Sequence, residues 1–349
     1  MRPNLKKIFY VNFLAHAEYP RVIATRGDVV LDRLEKSTTL EQALPVLNTA
    51  HVYQVSSARS DLPAHFMVDK MLIERSPKLL LVSASGAGYD PVDVEACTER
   101  GVLVVNQSGA NREAVAEHVV GMMLCLSKRI VETDRLMRRQ NGIDRNKFLG
   151  NDVIGKTVGI IGLGNVGTRV SELCRGLFSM RVLAYDPYVS SDTMKQSGAE
   201  KVELAALLQG ADYVSVNCPL TKETEGMLGA AQFGLMKPAA YFITTARGLI
   251  HDEAALLVAL RDKRLAGAGL DVWSKEPPPA DHPLLQLDNV VASPHTAGVT
   301  QEARANIGRI AAENVLAALD GKRPERILNA EAWPLYQKRF ECIMGFLPQ

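Results

Sequence analysis

Thr157-Val-Gly-Ile-Ile-Gly-Leu-Gly-Asn-Val-Gly167 reads as a strand, a glycine turn and the start of a helix. Val158 to Ile161 form a short apolar run, the pattern of a fully buried strand. Gly162, Gly164 and Gly167 follow in the spacing G-x-G-x-x-G, and Val166, Val170, Leu173, Cys174 and Leu177 then recur at helical spacing. The first glycine permits a tight turn, the second lets backbone approach a pyrophosphate, and the third lets helix and strand pack closely. The helix N-terminus offers N–H groups and a positive dipole end to phosphate. Asp186 lies nineteen residues beyond Gly167, after a second apolar run, Arg181–Tyr185. A carboxylate there accepts hydrogen bonds from a ribose diol and repels a 2′-phosphate. No Arg or Lys follows in Pro187-Tyr-Val-Ser-Ser191, so NAD is expected rather than NADP.

A length of 349 residues is enough for about two domains. The 47% hydrophobic and 23% charged content is that of a soluble globular chain. A net charge of +1 gives no reason to expect nucleic acid or an anionic membrane as partner. No apolar run approaches the ~18 residues of a membrane span. The five cysteines (Cys97, Cys125, Cys174, Cys218, Cys342) form no C-x-x-C pair, and most sit in apolar runs. They read as thiols rather than disulfides or metal ligands, which fits a cytoplasmic location, and no metal site is expected. Lys6-Lys7, a short apolar run and Ala15-His-Ala17 imitate a signal peptide, but Asn12 interrupts the run, and an opening strand explains it better.

Ahead of the glycine turn, Ile8–Val11, His51–Val55, Leu79–Val82 and Val102–Val105 read as short buried strands. They are separated by helix-length segments such as Asp61–Arg75 and Val92–Arg100. This is the βα rhythm of a doubly wound parallel sheet. Ligands of such sheets bind beyond the carboxyl ends of the strands. The loops Ser56–Ser60, Ser83–Gly88 and Asn106–Asn111 are therefore candidate substrate contacts. From Arg112 to about Gln140 one long amphipathic helix is expected, with Val115, His118, Val119, Met122, Met123 and Leu126 on one face; His118 reads as a packed helix residue rather than a catalyst. Six strands are expected next, at 157–161, 181–185, 213–216, 240–244, 267–271 and 289–292. A helix follows from Thr300 to Leu319, and the tail is expected to return to the first domain.

Three charged or titratable residues follow successive strands of this second set. Arg247 lies in Thr244-Thr-Ala-Arg-Gly248, Glu276 in Asp271-Val-Trp-Ser-Lys-Glu-Pro277, and His295 in Ser293-Pro-His-Thr-Ala-Gly298. In a parallel sheet all three lie on the edge that carries the glycine turn. Reduction of a 2-oxo acid needs a hydride donor, a proton donor and an anchor for the carboxylate. A histidine protonates a ketone oxygen near neutral pH. A glutamate beside it holds the imidazole and its proton. An arginine clamps a carboxylate with two parallel hydrogen bonds and polarises the carbonyl. Asp271 is placed to hydrogen-bond a nicotinamide carboxamide.

These motifs, with Ala246-Arg-Gly248, Leu270-Asp-Val272, Gly88-Tyr-Asp-Pro-Val-Asp93, Ala114-Val-Ala-Glu-His118 and Cys218-Pro-Leu-Thr221, resemble the D-isomer-specific 2-hydroxyacid dehydrogenase family over nearly the whole chain. The resemblance implies an α/β fold in which a Rossmann nucleotide-binding domain (113–298) is inserted in a flavodoxin-like, doubly wound parallel-sheet substrate domain (1–112 plus 299–349). It implies the catalytic roles given above to Arg247, Glu276 and His295. It adds cofactor contacts at Asn165, Val166, Asp186, Cys218, Pro219, Thr245 and Asp271 beside Gly162, Gly164 and Gly167. It implies substrate contacts at Ser85, Gly86, Ala87, Gly88 and Asn111 besides Arg247. It implies a homodimer formed through the nucleotide domains, with the helix near residue 120 in the interface. The substrate class is a small 2-oxo or 2-hydroxy acid.

Two departures bear on the substrate. Phosphoglycerate dehydrogenases often carry R-x-R after the second strand of the first domain, where Ser57-Ala-Arg59 stands here, and no regulatory module follows residue 349. A phosphorylated substrate is not favoured. A formate dehydrogenase on the same fold is expected to carry Gln in place of Glu276. A corepressor-type NAD-binding protein is expected to carry long docking tails, which are not evident here.

Overall fold

The computed structural model describes residues 5–349. They divide into two compact units, one running to Asn111 and resuming at Thr300, the other Arg112–Val299.

The first unit is built on β1 (Lys6–Val11), β2 (Val29–Leu34), β3 (Val52–Val55), β4 (Leu81–Ala84) and β5 (Leu103–Val105), all parallel in the order β2-β1-β3-β4-β5. This is the flavodoxin-like strand order. β3, β4 and β5 are buried on both faces, which is why they read as unbroken apolar runs. One face packs Phe9, Tyr53 and Phe66. The other is closed by the helices Gln301–Leu319 and Trp333–Met344, whose Val315, Tyr336 and Phe340 meet Ile8, Leu81 and Leu103. Thr300 caps the first of these helices by accepting a hydrogen bond from Ala303 N–H at 3.1 Å.

The second unit carries β6 (Thr157–Ile161), β7 (Arg181–Tyr185), β8 (Glu200–Lys201), β9 (Tyr213–Val216), β10 (Tyr241–Thr244), β11 (Gly267–Leu270) and β12 (Val290–Ala292). The sheet is parallel, in the order β12-β11-β10-β9-β6-β7-β8. The strand order reverses beside β6, so the glycine turn opens at the topological switch point. The helix Arg112–Ser127 lies on β11 because that strand is nearly bare: a Cβ at Gly267 would meet Leu126 at 3.1 Å, and one at Gly269 would meet Met122 at 2.9 Å.

Several elements differ from expectation. The edge strand β2 and the two-residue edge β8 were not anticipated. β2 is half-buried and carries Asp32 and Arg33, so it lacks the apolar signature. The expected helix of Arg112 to about Gln140 is two helices, Arg112–Ser127 and Ile130–Met137, separated where Arg129 turns left-handed (φ 54°). The helix-length segment Asp61–Arg75 follows a 3-10 turn at Arg59–Asp61 and holds a second at Ala64–Phe66 and a helix of only Lys70–Glu74.

Candidate functional site

In the glycine turn the chain keeps its three glycines for different reasons. Gly162 is left-handed (φ +89°), and a Cβ on it would meet Cys218 N at 2.6 Å. A Cβ on Gly167 would meet Gly162 O at 2.1 Å, so the helix Asn165–Phe178 sits directly against the turn. A Cβ on Gly164 would meet nothing within 4 Å. Packing within the chain does not demand glycine there, and the open space fits a pyrophosphate. Gly164 is also the N-cap of that helix and supplies no side-chain cap, leaving first-turn N–H groups for phosphate oxygens. Asn165 and Val166 open the helix.

Asp186 follows β7 directly and bonds back to this turn. Its Oδ2 accepts from Leu163 N–H at 2.9 Å and its Oδ1 from Tyr188 N–H at 2.9 Å. Each oxygen keeps a lone pair for a ribose hydroxyl. Cys218 and Pro219 follow β9; burial pushes the Cys218 thiol up to about 11, so it is a neutral, weakly polar wall. Thr245 follows β10, and its buried Oγ1 has no hydrogen-bond partner among the described residues. An orphaned hydroxyl beside an open glycine cradle fits a polar ligand such as a dinucleotide.

Arg247, Glu276 and His295 follow β10, β11 and β12 on this same edge. His295 Nδ1 and Glu276 Oε2 are 2.7 Å apart. A carboxylate can only accept, so Nδ1 carries the proton and Nε2 is left to face a reactant. Glu276 Oε1 accepts from Trp273 N–H at 3.1 Å, which holds the carboxylate in place. Burial raises the Glu276 carboxyl, but hydrogen bonding and charge from His295, the Trp273 N–H and the Arg247 guanidinium outweigh it, leaving it below the usual carboxylate range. Glu276 is therefore a carboxylate at neutral pH. Arg247 is half-buried, with Nη1 donating to Ala246 O at 2.7 Å.

Asp271 is occupied within the protein. It is fully buried, its Oδ1 accepts from Ser293 Oγ–H at 2.6 Å and Thr296 N–H at 2.7 Å, and its Oδ2 accepts from Ala297 N–H at 2.9 Å. Sequence reasoning missed Ser293, Trp273 and Glu253. Glu253 accepts from Ser274 N–H at 2.8 Å and so steadies the loop that carries Glu276. His118, read from the sequence as a packed helix residue, lies in the helix Arg112–Ser127 with its Nε2 3.0 Å from Ser293 Oγ. No local spacing signals these contacts.

In the first unit the loop after β4 contains Ser85, Gly86, Ala87 and Gly88. Ser85 N–H donates to Val55 O at 2.9 Å, and Gly86 N–H donates to the buried Gln107 Oε1 at 2.8 Å. Those two donors are spent inside the unit. Among the described residues no partner takes the N–H of exposed Ala87 or half-buried Gly88. Ser85 Oγ accepts from Gln54 Nε2 at 2.9 Å and so keeps its own proton to donate. Asn111 is the last residue of this stretch, just before the helix Arg112–Ser127.

The NAD-binding domain of the D-isomer-specific 2-hydroxyacid dehydrogenases matches residues 120–297. A D-3-phosphoglycerate dehydrogenase of Archaeoglobus fulgidus is 41% identical over 280 residues, 80% of this chain and 52% of that protein, so the chain spans only half of that relative. A glyoxylate reductase of Korarchaeum cryptofilum is 39% identical over 267 residues, 76% of this chain and 80% of that protein. The crystal structure of an Aquifex aeolicus D-lactate dehydrogenase complexed with NAD and lactic acid superposes with a TM-score of 0.77 at 27% identity, covering 90% of this chain and 96% of that one. Motif, strand order and relatives agree, and the chain belongs to the D-isomer-specific 2-hydroxyacid dehydrogenase family.

Proposed function

We propose that the protein is an NAD(H)-dependent oxidoreductase that interconverts a small 2-oxo acid and the corresponding D-2-hydroxy acid. The observation that carries this reading is the 2.7 Å His295–Glu276 pair on the sheet edge that also bears the glycine turn and Arg247. The cofactor, held by Gly162 to Gly167, Asp186, Cys218, Pro219 and Thr245, supplies the hydride. His295 Nε2 delivers a proton to the carbonyl oxygen as that oxygen gains charge. Glu276 holds Nδ1–H and stabilises the charged imidazole before transfer. Arg247 binds the substrate carboxylate and polarises the adjacent carbonyl. The Ala87 and Gly88 N–H groups, with Ser85 Oγ–H, bind substrate oxygens, and Asn111 belongs to the same substrate-binding set. A hydrogen-bonded acid beside the histidine favours proton-coupled reduction over hydride abstraction from formate, which transfers no proton.

Arg59, which donates from Nε to Asp90 O at 2.8 Å, is the one basic residue of the Ser56–Ser60 loop, where two would be expected for a phosphorylated substrate. An unphosphorylated acid is favoured. The protein acts as a homodimer through its nucleotide unit. The apolar face of the helix Arg112–Ser127 is spent inside that unit, and it is the following segment that exposes Ile130, Met137, Leu149 and Ile154. No helix among the described residues is long and apolar enough to cross a membrane. All five cysteines are free, which favours the cytoplasm.

The test is loss of NADH absorbance with a panel of glyoxylate, hydroxypyruvate, hydroxypyruvate phosphate, pyruvate, phenylpyruvate and 2-oxoglutarate. Turnover with at least one unphosphorylated member is expected, giving the D-hydroxy acid. No turnover with any member, despite measurable NADH binding, would overturn the proposal.

A further inference from the structure

His295 sits in an unfavourable backbone state. Its φ is +56°, a left-handed conformation that costs a residue with a Cβ about 1–2 kcal/mol. Such a conformation persists only where surrounding contacts over-determine it. Here those contacts centre on one buried carboxylate. The Asp271 backbone O accepts from His295 N–H at 2.7 Å, while the Asp271 side chain takes the next two N–H groups, Thr296 at 2.7 Å and Ala297 at 2.9 Å. Three consecutive donors of the turn thus converge on a single residue at the end of β11.

The turn is closed on its other side by Ser293. Its carbonyl accepts from Trp273 Nε1–H at 3.0 Å, and its hydroxyl lies 2.6 Å from Asp271 Oδ1 and 3.0 Å from His118 Nε2. The direction of this chain follows from chemistry. A carboxylate cannot donate, so Ser293 Oγ–H donates to Asp271, and the hydroxyl oxygen must then accept from His118 Nε2–H. His118 lies one helical turn from Met122 and two from Leu126, the residues that seat the helix on Gly269 and Gly267. The seating of the helix on bare β11 therefore carries the imidazole to the carboxyl edge, over Ser293.

We infer that His118 and Ser293 are positioning residues for the reduction: the donor chain from His118 through Ser293 to Asp271 fixes the left-handed turn that presents His295. The inference rests on the proposed acid–base role of His295. The Asp271 side chain holds the backbone at 296 and 297 only while its Oδ1 stays in plane; the Ser293 hydroxyl at 2.6 Å is the side-chain hydrogen bond that holds it there, with His118 Nε2 behind it at 3.9 Å from the same oxygen. His118 Nε2–H in turn fixes the rotation of that hydroxyl. With either removed, the imidazole keeps Glu276 as a partner but loses its fixed approach to the reacting oxygen.

The test uses the full-length protein and its best 2-oxo acid. Ser293→Ala and His118→Phe are each expected to lower kcat by on the order of 10- to 100-fold, the cost of misplacing a reacting group by about 1 Å. The NADH Kd is expected to stay within about twofold of wild type. A solvent deuterium isotope effect on kcat should appear or grow in both, because proton delivery becomes slower. His118→Gln, which keeps an N–H donor at similar reach, should restore most of kcat. Wild-type kcat in both variants would overturn the inference. So would a loss matched by an equal loss of NADH affinity, or a His118→Gln variant no better than His118→Phe. His295→Asn run in parallel separates the two levels: a crippled His295→Asn beside normal Ser293→Ala and His118→Phe sinks the positioning role alone, whereas a normal His295→Asn sinks the acid–base reading beneath it.

Discussion

The carboxyl edges of the two sheets are built on opposite terms. On the nucleotide unit the edge is a row of polar and titratable side chains, Asp186, Arg247, Glu276 and His295, each pinned by backbone or side-chain partners. On the other unit the equivalent edge, the loops after β3, β4 and β5, offers mainly backbone. Two of its polar side chains, Gln54 and Gln107, are buried and hold the loop that exposes the Ala87 and Gly88 N–H groups, while Arg59 and the Ser85 hydroxyl remain at the surface of these loops. Chemistry that moves protons and hydride needs particular side chains. Presenting N–H groups to substrate oxygens needs only an oriented backbone, which any sequence able to make the turn can supply. On the proposed reading, the reaction class lies in residue identity and the choice of substrate in loop shape.

The contrast can be broken first at the nucleotide edge. Gly164→Val places bulk where the chain itself has open space, so NADH affinity should fall about 1000-fold, or about 4 kcal/mol, while the melting temperature stays put. NADH fluorescence titration and thermal unfolding measure the two; a loss of stability as large as the loss of binding would mean that Gly164 serves packing instead.

The two units also each bury a histidine. Burial pushes the His251 imidazole from 6.5 down to about 4, Glu253 and Asp252 offsetting only part of this. His51, whose Nδ1 accepts from Lys7 N–H at 3.0 Å, is likewise pushed down to about 4, by burial and then by Lys78, Lys7 and Lys6. A depressed value in the folded state means that the unfolded chain takes up the proton first. Stability is therefore full above pH 6.5 and falls as the pH drops towards 4. For His251 the loss is about 3 kcal/mol. Its ring packs 5.4 Å from Phe242, so His251→Phe should remove that share of the acid sensitivity, read from urea unfolding at pH 7 and pH 4. An unchanged difference between the two pH values would assign the sensitivity elsewhere.

Asp186→Ala should relax the preference for NADH over NADPH about 30-fold, on the scale of one hydrogen bond to a charged acceptor. Unchanged selectivity would show that another group reads the ribose. The smallest effect should come from the backbone edge. Gln107→Leu leaves Gly86 N–H without its buried acceptor and lets the loop shift, raising the substrate KM about tenfold with the NADH Kd intact. A KM that does not move would remove this loop from substrate binding.

What was legible in the sequence follows the same division. β6 and its glycine turn were readable because two of the three glycines answer a local demand, a positive φ at Gly162 and a close contact at Gly167. Arg247, Glu276 and His295 were readable because each follows a buried strand whose apolar run is unmistakable. β2 was not, since an edge strand alternates and tolerates Asp32 and Arg33. Neither was the break at Arg129, where Ser127-Lys-Arg-Ile130 has no Gly or Pro to announce it. The link from His118 to Ser293 spans 175 residues and depends on how the helix seats on β11, which no local pattern encodes. The same holds for Gln107 beneath Gly86.

The most direct measurement is the kcat of His295→Asn beside wild type with the best 2-oxo acid, with NADH Kd determined for both. A drop of at least about 100-fold at unchanged NADH affinity is the expected result. Wild-type turnover in His295→Asn would contradict the proposed assignment of the His295–Glu276 pair as the proton donor.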